Sequence, residues 1–139
     1  MKKIAGIFMI TLLLTSYGFR NIKSAANVKQ VTLTVEYSFL GIEEGYDHDC
    51  KTELYIDDKL VATSTVKKES EKNSVSTQLS KGIHKIKVIN YALYKGAWEE
   101  HTIANNYSID CLYESTLKMK KKRNKLKLVF DIDKGTYVE

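Results

Sequence analysis

The chain has 139 residues, 43% apolar, 28% charged and 10% aromatic, with 7 glycines, no proline, 2 cysteines and a formal net charge of +5. That length suits one domain rather than the two halves of a cleft enzyme. The composition excludes a disordered chain, a collagen-like repeat and a cysteine-stapled miniprotein, and by itself names no ligand or reaction.

Met1, Lys2 and Lys3 precede the apolar run IAGIFMITLLL at 4–14, which gives way to Thr15, Ser16, Tyr17, Gly18 and Phe19. A cationic start, an apolar stretch of ~7–15 residues and small residues at a cut site are the layout of a secretory signal peptide. The run is shorter than the ~20 residues of a membrane span. Cleavage is expected after Ala26, or alternatively after Gly18; an uncleaved amino-terminal anchor is the competing reading. The only cysteines are Cys50 and Cys111, so the cut lacks the cysteine of a lipoprotein. The expected organisation is a signal peptide over 1–26 and one domain over 27–139, with no transmembrane span in the mature chain, located as a secreted, periplasmic or cell-surface protein. Removing Lys2, Lys3, Arg20 and Lys23, and no acid, lowers the charge from +5 to +1. A near-neutral domain lacks the field that gathers nucleic acid, so no nucleic-acid partner is expected.

The remainder reads as strands. At 31–39, Val31, Leu33, Val35, Tyr37 and Phe39 alternate with Thr32, Thr34, Glu36 and Ser38, the period of a half-buried strand. Cys50, Thr52, Leu54 and Ile56 repeat it, and Asp57, Asp58 and Lys59 supply a turn into 60–66. A polar stretch at 67–73 is expected to bury nothing. Val75, Thr77 and Leu79 then lead through Ser80, Lys81 and Gly82 into a strand carrying Ile86 and Val88. Further strands are expected at 98–103 and along Tyr107, Ile109, Cys111 and Tyr113. A final hairpin is expected to join Leu117 and Met119 to Leu126, Leu128, Phe130 and Ile132. About eight short strands without βαβ spacing predict an all-β, antiparallel sandwich or small barrel. With no proline to blunt edge strands, Lys85, Lys87, Lys125 and Lys127 are expected to take that part.

Cys50 and Cys111 each lie on the apolar parity of their segments, so both should face the interior. In an oxidising compartment two such cysteines are expected to form a disulfide, not to act as an exposed, activated nucleophile. Two inward cysteines, Trp98 between them in sequence and the segment LSKGIHKIKV at 79–88 resemble bacterial secreted immunoglobulin-like or fibronectin-type sandwich domains over about residues 28–133. Trp98 lies nearer the second cysteine than the first, unlike the antibody pattern. The resemblance implies an immunoglobulin-like scaffold whose loops carry any specificity.

Three segments carry candidate chemistry. The loop at 41–49 holds Glu43, Glu44, Asp47, His48 and Asp49, an acidic loop whose spacing matches no dedicated calcium loop; Asp131, Asp133 and Gly135 give only a fragment of one. Lys120, Lys121, Lys122 and Arg123 form a basic patch on the expected hairpin tip. Tyr91, Tyr94 and Trp98 are the candidate ligand-binding aromatics, although a lone tryptophan in so small a domain is expected to pack in the core. His48, His84 and His101 lie on separate segments without zinc-ligand spacing, and no GxSxG elbow, phosphate cradle or facing carboxylate pair is present. No catalytic residue, metal or cofactor is expected. The expected function is that of a non-enzymatic recognition or accessory module binding a protein or glycan partner through its loops. One alternative is a secreted inhibitor or immunity-type protein inserting the acidic loop into a basic cleft. Another is a small secreted hydrolase dependent on His84 or His101.

Overall fold

The computed structural model describes residues 27–139; the segment 1–26, with the expected signal peptide and both candidate cut sites, lies outside the described residues. Ten strands and one short 3-10 turn, η1 (Ile103–Asn105), make an all-β architecture of two open sheets. The first sheet runs β10 (Gly135–Val138), β9 (Arg123–Asp131), β1 (Gln30–Leu40), β5 (Asn73–Ser80). The second runs β3 (Lys59–Thr63), β2 (Asp49–Ile56), β6 (Gly82–Tyr94), β7 (Ala97–Glu100); β4 (Lys67–Lys68) also pairs with β2 and β8 (Leu112–Met119) with β6. All pairings are antiparallel except β1 with β9, which is parallel and departs from the wholly antiparallel sheets expected; the strands expected at 98–103 and along Tyr107 to Tyr113 are also cut short, β7 ending at Glu100 and β8 beginning at Leu112 with η1 between them. Among the described residues no helix is long and apolar enough to cross a membrane.

Period-two patterning produces this arrangement directly. Val31, Leu33, Val35, Tyr37 and Phe39 are all buried, as are Cys50, Thr52, Leu54 and Ile56. Side chains from both sheets merge in one core, where Phe130 meets Phe39 at 5.0 Å and Tyr37 at 6.1 Å between ring centroids. Each fully buried Leu, Ile, Val or Phe adds about 1.5–3 kcal/mol through removal from water. Asp57 and Asp58 both adopt positive φ, 50° and 65°, the backbone of a two-residue turn that matches strand twist.

Four further expectations are corrected. Leu117 and Met119 do not form a hairpin with Leu126 and Leu128: β8 belongs to the second sheet and β9 to the first, so 120–122 crosses between layers. The closing hairpin is β9 with β10. The polar stretch at 67–73 does bury groups, since Glu69 is 3% and Asn73 9% exposed. Lys85 and Lys87 sit on β6, a central strand and not an edge, whereas Lys125 precedes the stretch of β9 that β10 covers and does lie on an open edge, and the Lys127 carbonyl is capped by the Glu139 N–H (3.0 Å); Lys85 Nζ pairs with Asp58 (2.9 Å) and Glu114 (3.2 Å).

The cysteines are the fourth. Both are buried and both are free thiols. They face the same interior, but from the same sheet with β6 between them. Cys50 pairs with Ala92 on one side of β6, while Cys111 accepts a hydrogen bond from the Asn90 N–H (3.0 Å) on the other. Two interstrand spacings of ~4.7–4.9 Å exceed the ~7 Å Cα separation beyond which a bridge needs backbone movement. Burial pushes the Cys50 thiol up to about 12, and it raises Cys111 as well. Neither sulfur is therefore a thiolate near neutral pH. Thiol titration of the unreduced chain should find almost no reactive sulfur in the folded state and two after unfolding in guanidinium; a mass consistent with one internal bridge would refute the assignment.

Candidate functional site

At the end where β1 runs out, the 41–48 connection, the turn after β4, the β6–β7 hairpin tip, the 101–111 segment and the end of β9 converge. Their shared floor is a buried pair. Glu69 turns inward where its N–H donates to the His48 carbonyl (3.0 Å). His101 leaves β7 with its N–H on the Asn90 carbonyl (2.9 Å) and its own carbonyl accepting from the Cys111 N–H (2.8 Å). Each residue is 3% exposed, and Glu69 Oε1 stands 3.0 Å from His101 Nδ1. That distance is short enough for ion pairing, but the two atoms are not aligned as a hydrogen bond and neither has another partner. The His101 ring lies against Tyr107 (4.2 Å) and Phe39 (5.6 Å). The Tyr107 hydroxyl is buried without a partner, as is Asn90 Oδ1, whose amide nitrogen donates to Thr52 Oγ1 at 2.9 Å. Polar atoms thus populate the loop-side part of the core, where unsatisfied groups are costly.

Two adjoining hollows open above this floor, about 270 and 430 Å³ in volume, and Tyr46, His48, Asn106 and Tyr107 line both. Glu43, Glu69 and His101 line the first, Tyr94, Glu99 and Asn105 the second. The His48 ring stands edge-on to Tyr94 and to Tyr107, 6.0 Å from each. Burial, and after it the charges of Glu99 and Glu69, push the Tyr107 phenol up to about 12. The hollow is aromatic on its walls, negative in its field, and lined by acceptors and amides rather than by lysine or arginine.

The acidic loop divides in function. Asp47 accepts from the Ser70 N–H (2.9 Å) and hydroxyl (2.7 Å), the serine hydroxyl holding its carboxyl below the usual range. Asp49 pairs with Lys68 at 3.0 Å. These two pin the loop, Glu43 lines the hollow, and Glu44 is exposed and lines neither cavity. The aromatic trio also separates. Tyr94 joins the hollow, whereas Tyr91 and Trp98 share the outer face of the second sheet, where Lys51 Nζ stands 5.7 and 4.9 Å from their centroids. Trp98 is 38% exposed, so the expectation of a core tryptophan fails: it pairs across from Leu93, on the parity opposite the buried Ala92. Lys120, Lys121, Lys122 and Arg123 occupy the opposite end, exposed and without ion-pair partners among the described residues. Asn124 shapes that turn by donating to the Lys121 carbonyl (2.9 Å).

At that opposite end an Asp, a His and a Ser also meet. His84 Nδ1 lies 2.7 Å from Asp57 Oδ2, and Nε2 lies 3.1 Å from Ser80 Oγ but 2.9 Å from the Ser80 carbonyl. A carbonyl only accepts, so the closer contact needs a proton on Nε2 and leaves that nitrogen unable to take one from the hydroxyl. The array clamps the β2–β3 turn to the start of β6, helped by the Lys85 N–H on Asp57 Oδ1 (2.9 Å). Asp57 is held below the ordinary carboxylate range, first by His84 and then by that backbone bond. A depressed carboxyl stabilises above its unfolded value and stops doing so as the proton binds. Asp57→Asn should therefore lower the urea midpoint at neutral pH, with the gap to the parent closing as pH falls below ~3.9; a gap independent of pH would contradict the clamp.

Glu69, Tyr46, Glu99, Asn106 and Tyr107 were not singled out by sequence as binding groups. Glu69 carries no motif and sits among Lys67, Lys68, Glu71 and Lys72, so only the register of β4 on β2 makes it special. Breaking a buried pair leaves its partner stranded. Glu69→Ala is expected to cost on the order of 3 kcal/mol, read from urea unfolding; a loss within experimental error would show the pair to be dispensable. No family model matches the chain, and no match is found among curated proteins.

Proposed function

We propose that the chain is an exported, non-enzymatic β-sandwich of immunoglobulin-like type that recognises a glycan with the loops at its acidic end. The leader-like segment at 1–19 supports export, to the periplasm, the medium or the cell surface. Two sheets over one core support the sandwich, although the chain lacks the intersheet disulfide and buried tryptophan of antibody domains. One observation carries the reading: Tyr46, Tyr94 and Tyr107 stand around one open concavity together with Glu43, Glu99, Asn105 and Asn106. Aromatic faces beside amide and carboxylate groups are the mixture that a ligand rich in hydroxyls requires.

The walls suit the same ligand. Tyr46 and Tyr94, 63% and 43% exposed, offer flat apolar faces to the C–H surface of a sugar ring. Asn105, Asn106, Glu43 and Glu99 offer donors and acceptors to its hydroxyls. The hollows fall in the ~300–1,000 Å³ range of small-ligand sites when taken together, a concavity suited to a few sugar units rather than to a flat protein surface. On an array of oligosaccharides, retention should drop about tenfold, or ~1.4 kcal/mol, for Tyr46→Ala and Tyr94→Ala and stay at the parent level for Trp98→Ala. Retention that depends on Trp98 and ignores both tyrosines would move the site to the outer sheet face.

A further inference from the structure

The end of the molecule opposite the hollows gathers cations that nothing in the fold uses. Gln30 opens β1 across from Ser80, and the Lys29 carbonyl accepts the Lys81 N–H (2.8 Å). Ile83 lies across from Lys118, and the Thr32 N–H donates to the Lys122 carbonyl (2.9 Å). Lys29, Lys81, Lys118 and the Lys120 to Arg123 turn therefore share one end, all exposed and none in an ion pair among the described residues. Asp57 and Asp58, the acids of the neighbouring β2–β3 turn, are already taken by His84 (2.7 Å) and Lys85 (2.9 Å). Asn124 accepts from the Lys121 N–H (3.4 Å) and donates to the Lys121 carbonyl (2.9 Å), so the turn's backbone is held while its ammonium groups stay free. β1 alone, 11 residues long, sets this end about 35 Å from the acidic loops at ~3.3 Å per residue. That is several screening lengths of ~8 Å, so the two fields persist separately although the charge from residue 27 onward is close to balance.

Two further observations indicate what meets this charge. Aliphatic side chains stand in water among the lysines: Ile83 is 67% and Val28 56% exposed. Cations on long apolar stems beside exposed aliphatics are the mixture that settles at the boundary of headgroups and acyl chains. A pocket for one anion needs fixed, convergent donors, which unpaired ammonium groups do not provide; a plane of anionic headgroups offers phosphate wherever they reach. The chain also enters the domain here. Asn27 and Val28 precede Lys29, so the apolar run at 4–14 joins the fold on its basic side. A leader seated in the membrane, during export or as a retained anchor, thus presents this end to the bilayer and directs the hollows away from it.

We infer that the basic end docks on an anionic phospholipid surface, with Lys120, Lys121, Lys122 and Arg123 among the headgroups and Ile83 set into the boundary beneath them. The inference stands whatever the loops bind. It is tested by sedimenting the full chain with vesicles of phosphatidylcholine alone and of equal parts phosphatidylcholine and phosphatidylglycerol. The first arm reads any binding through the apolar run at 4–14, and the excess in the second reads charge. Each lysine near such a surface strengthens binding about fivefold. The anionic vesicles should therefore bind at least about a hundredfold tighter, with the margin shrinking as salt is raised. Replacing Lys120→Gln, Lys121→Gln and Lys122→Gln together should cost about a hundredfold on the anionic vesicles and nothing on the neutral ones. Ile83→Ser should cost severalfold, and Lys95→Gln with Lys134→Gln, at the loop end, less than about twofold. Equal binding to both vesicles would overturn the inference, as would an excess that survives the triple change or falls as far with the loop-end pair. Binding to soluble heparin without binding to anionic vesicles would overturn it in favour of an acidic polysaccharide.

Discussion

The burial of Glu69 against His101 is the constraint around which the loop end is organised. Two ionisable side chains lose their water there, and the 3.0 Å approach between them is tolerable only because backbone bonds hold each in place. Glu69 is anchored through the His48 carbonyl and His101 through Asn90 and Cys111. The pair thereby ties the β1–β2 loop, the turn after β4 and the β7–β8 connection to one point. Tyr107 stacks on His101, His48 stands against Tyr107 and Tyr94, and the walls of the hollow follow from the floor.

The core therefore has two characters. Away from the loops, Leu54, Ile86, Val88, Leu126 and Leu128 fill it with hydrocarbon, and the packing there is the ordinary source of stability. Toward the loops, Thr52, Asn90, Glu69, His101 and two high-pKa thiols replace it. The two ends of the molecule contrast accordingly, with Glu43 and Asp47 by the hollow and the Lys120 to Arg123 turn at the far end of β1.

Alternation was legible because it is local. The faces of β1 and β2 follow from counting in twos, and the Asp57–Asp58 turn from its residues. What alternation does not encode is the neighbour. Cys50 and Cys111 were read as inward, which they are, yet parity says nothing of the strand that lies between them. The same blindness turned the β8-to-β9 crossing into a hairpin, since both strands have the right period and differ only in the sheet they join. Trp98 misled for another reason: its aromatic bulk argued for the core, while its register opposite Leu93 decided for the outer face. Of the site itself, Tyr94, Glu43 and His48 stood out by composition. Glu69 did not, because an acid in a lysine-rich turn looks solvated until β4 is seen to pair with β2.

The most direct measurement is a map of backbone amide shifts by heteronuclear NMR as an oligosaccharide retained on the array is added. The account predicts perturbations gathered at Tyr46, His48, Glu69, Tyr94, His101, Asn106 and Tyr107, with Tyr91, Trp98 and the Lys120 to Arg123 turn unmoved. Shifts confined to the outer face around Tyr91 and Trp98, or to the lysine turn, would contradict it.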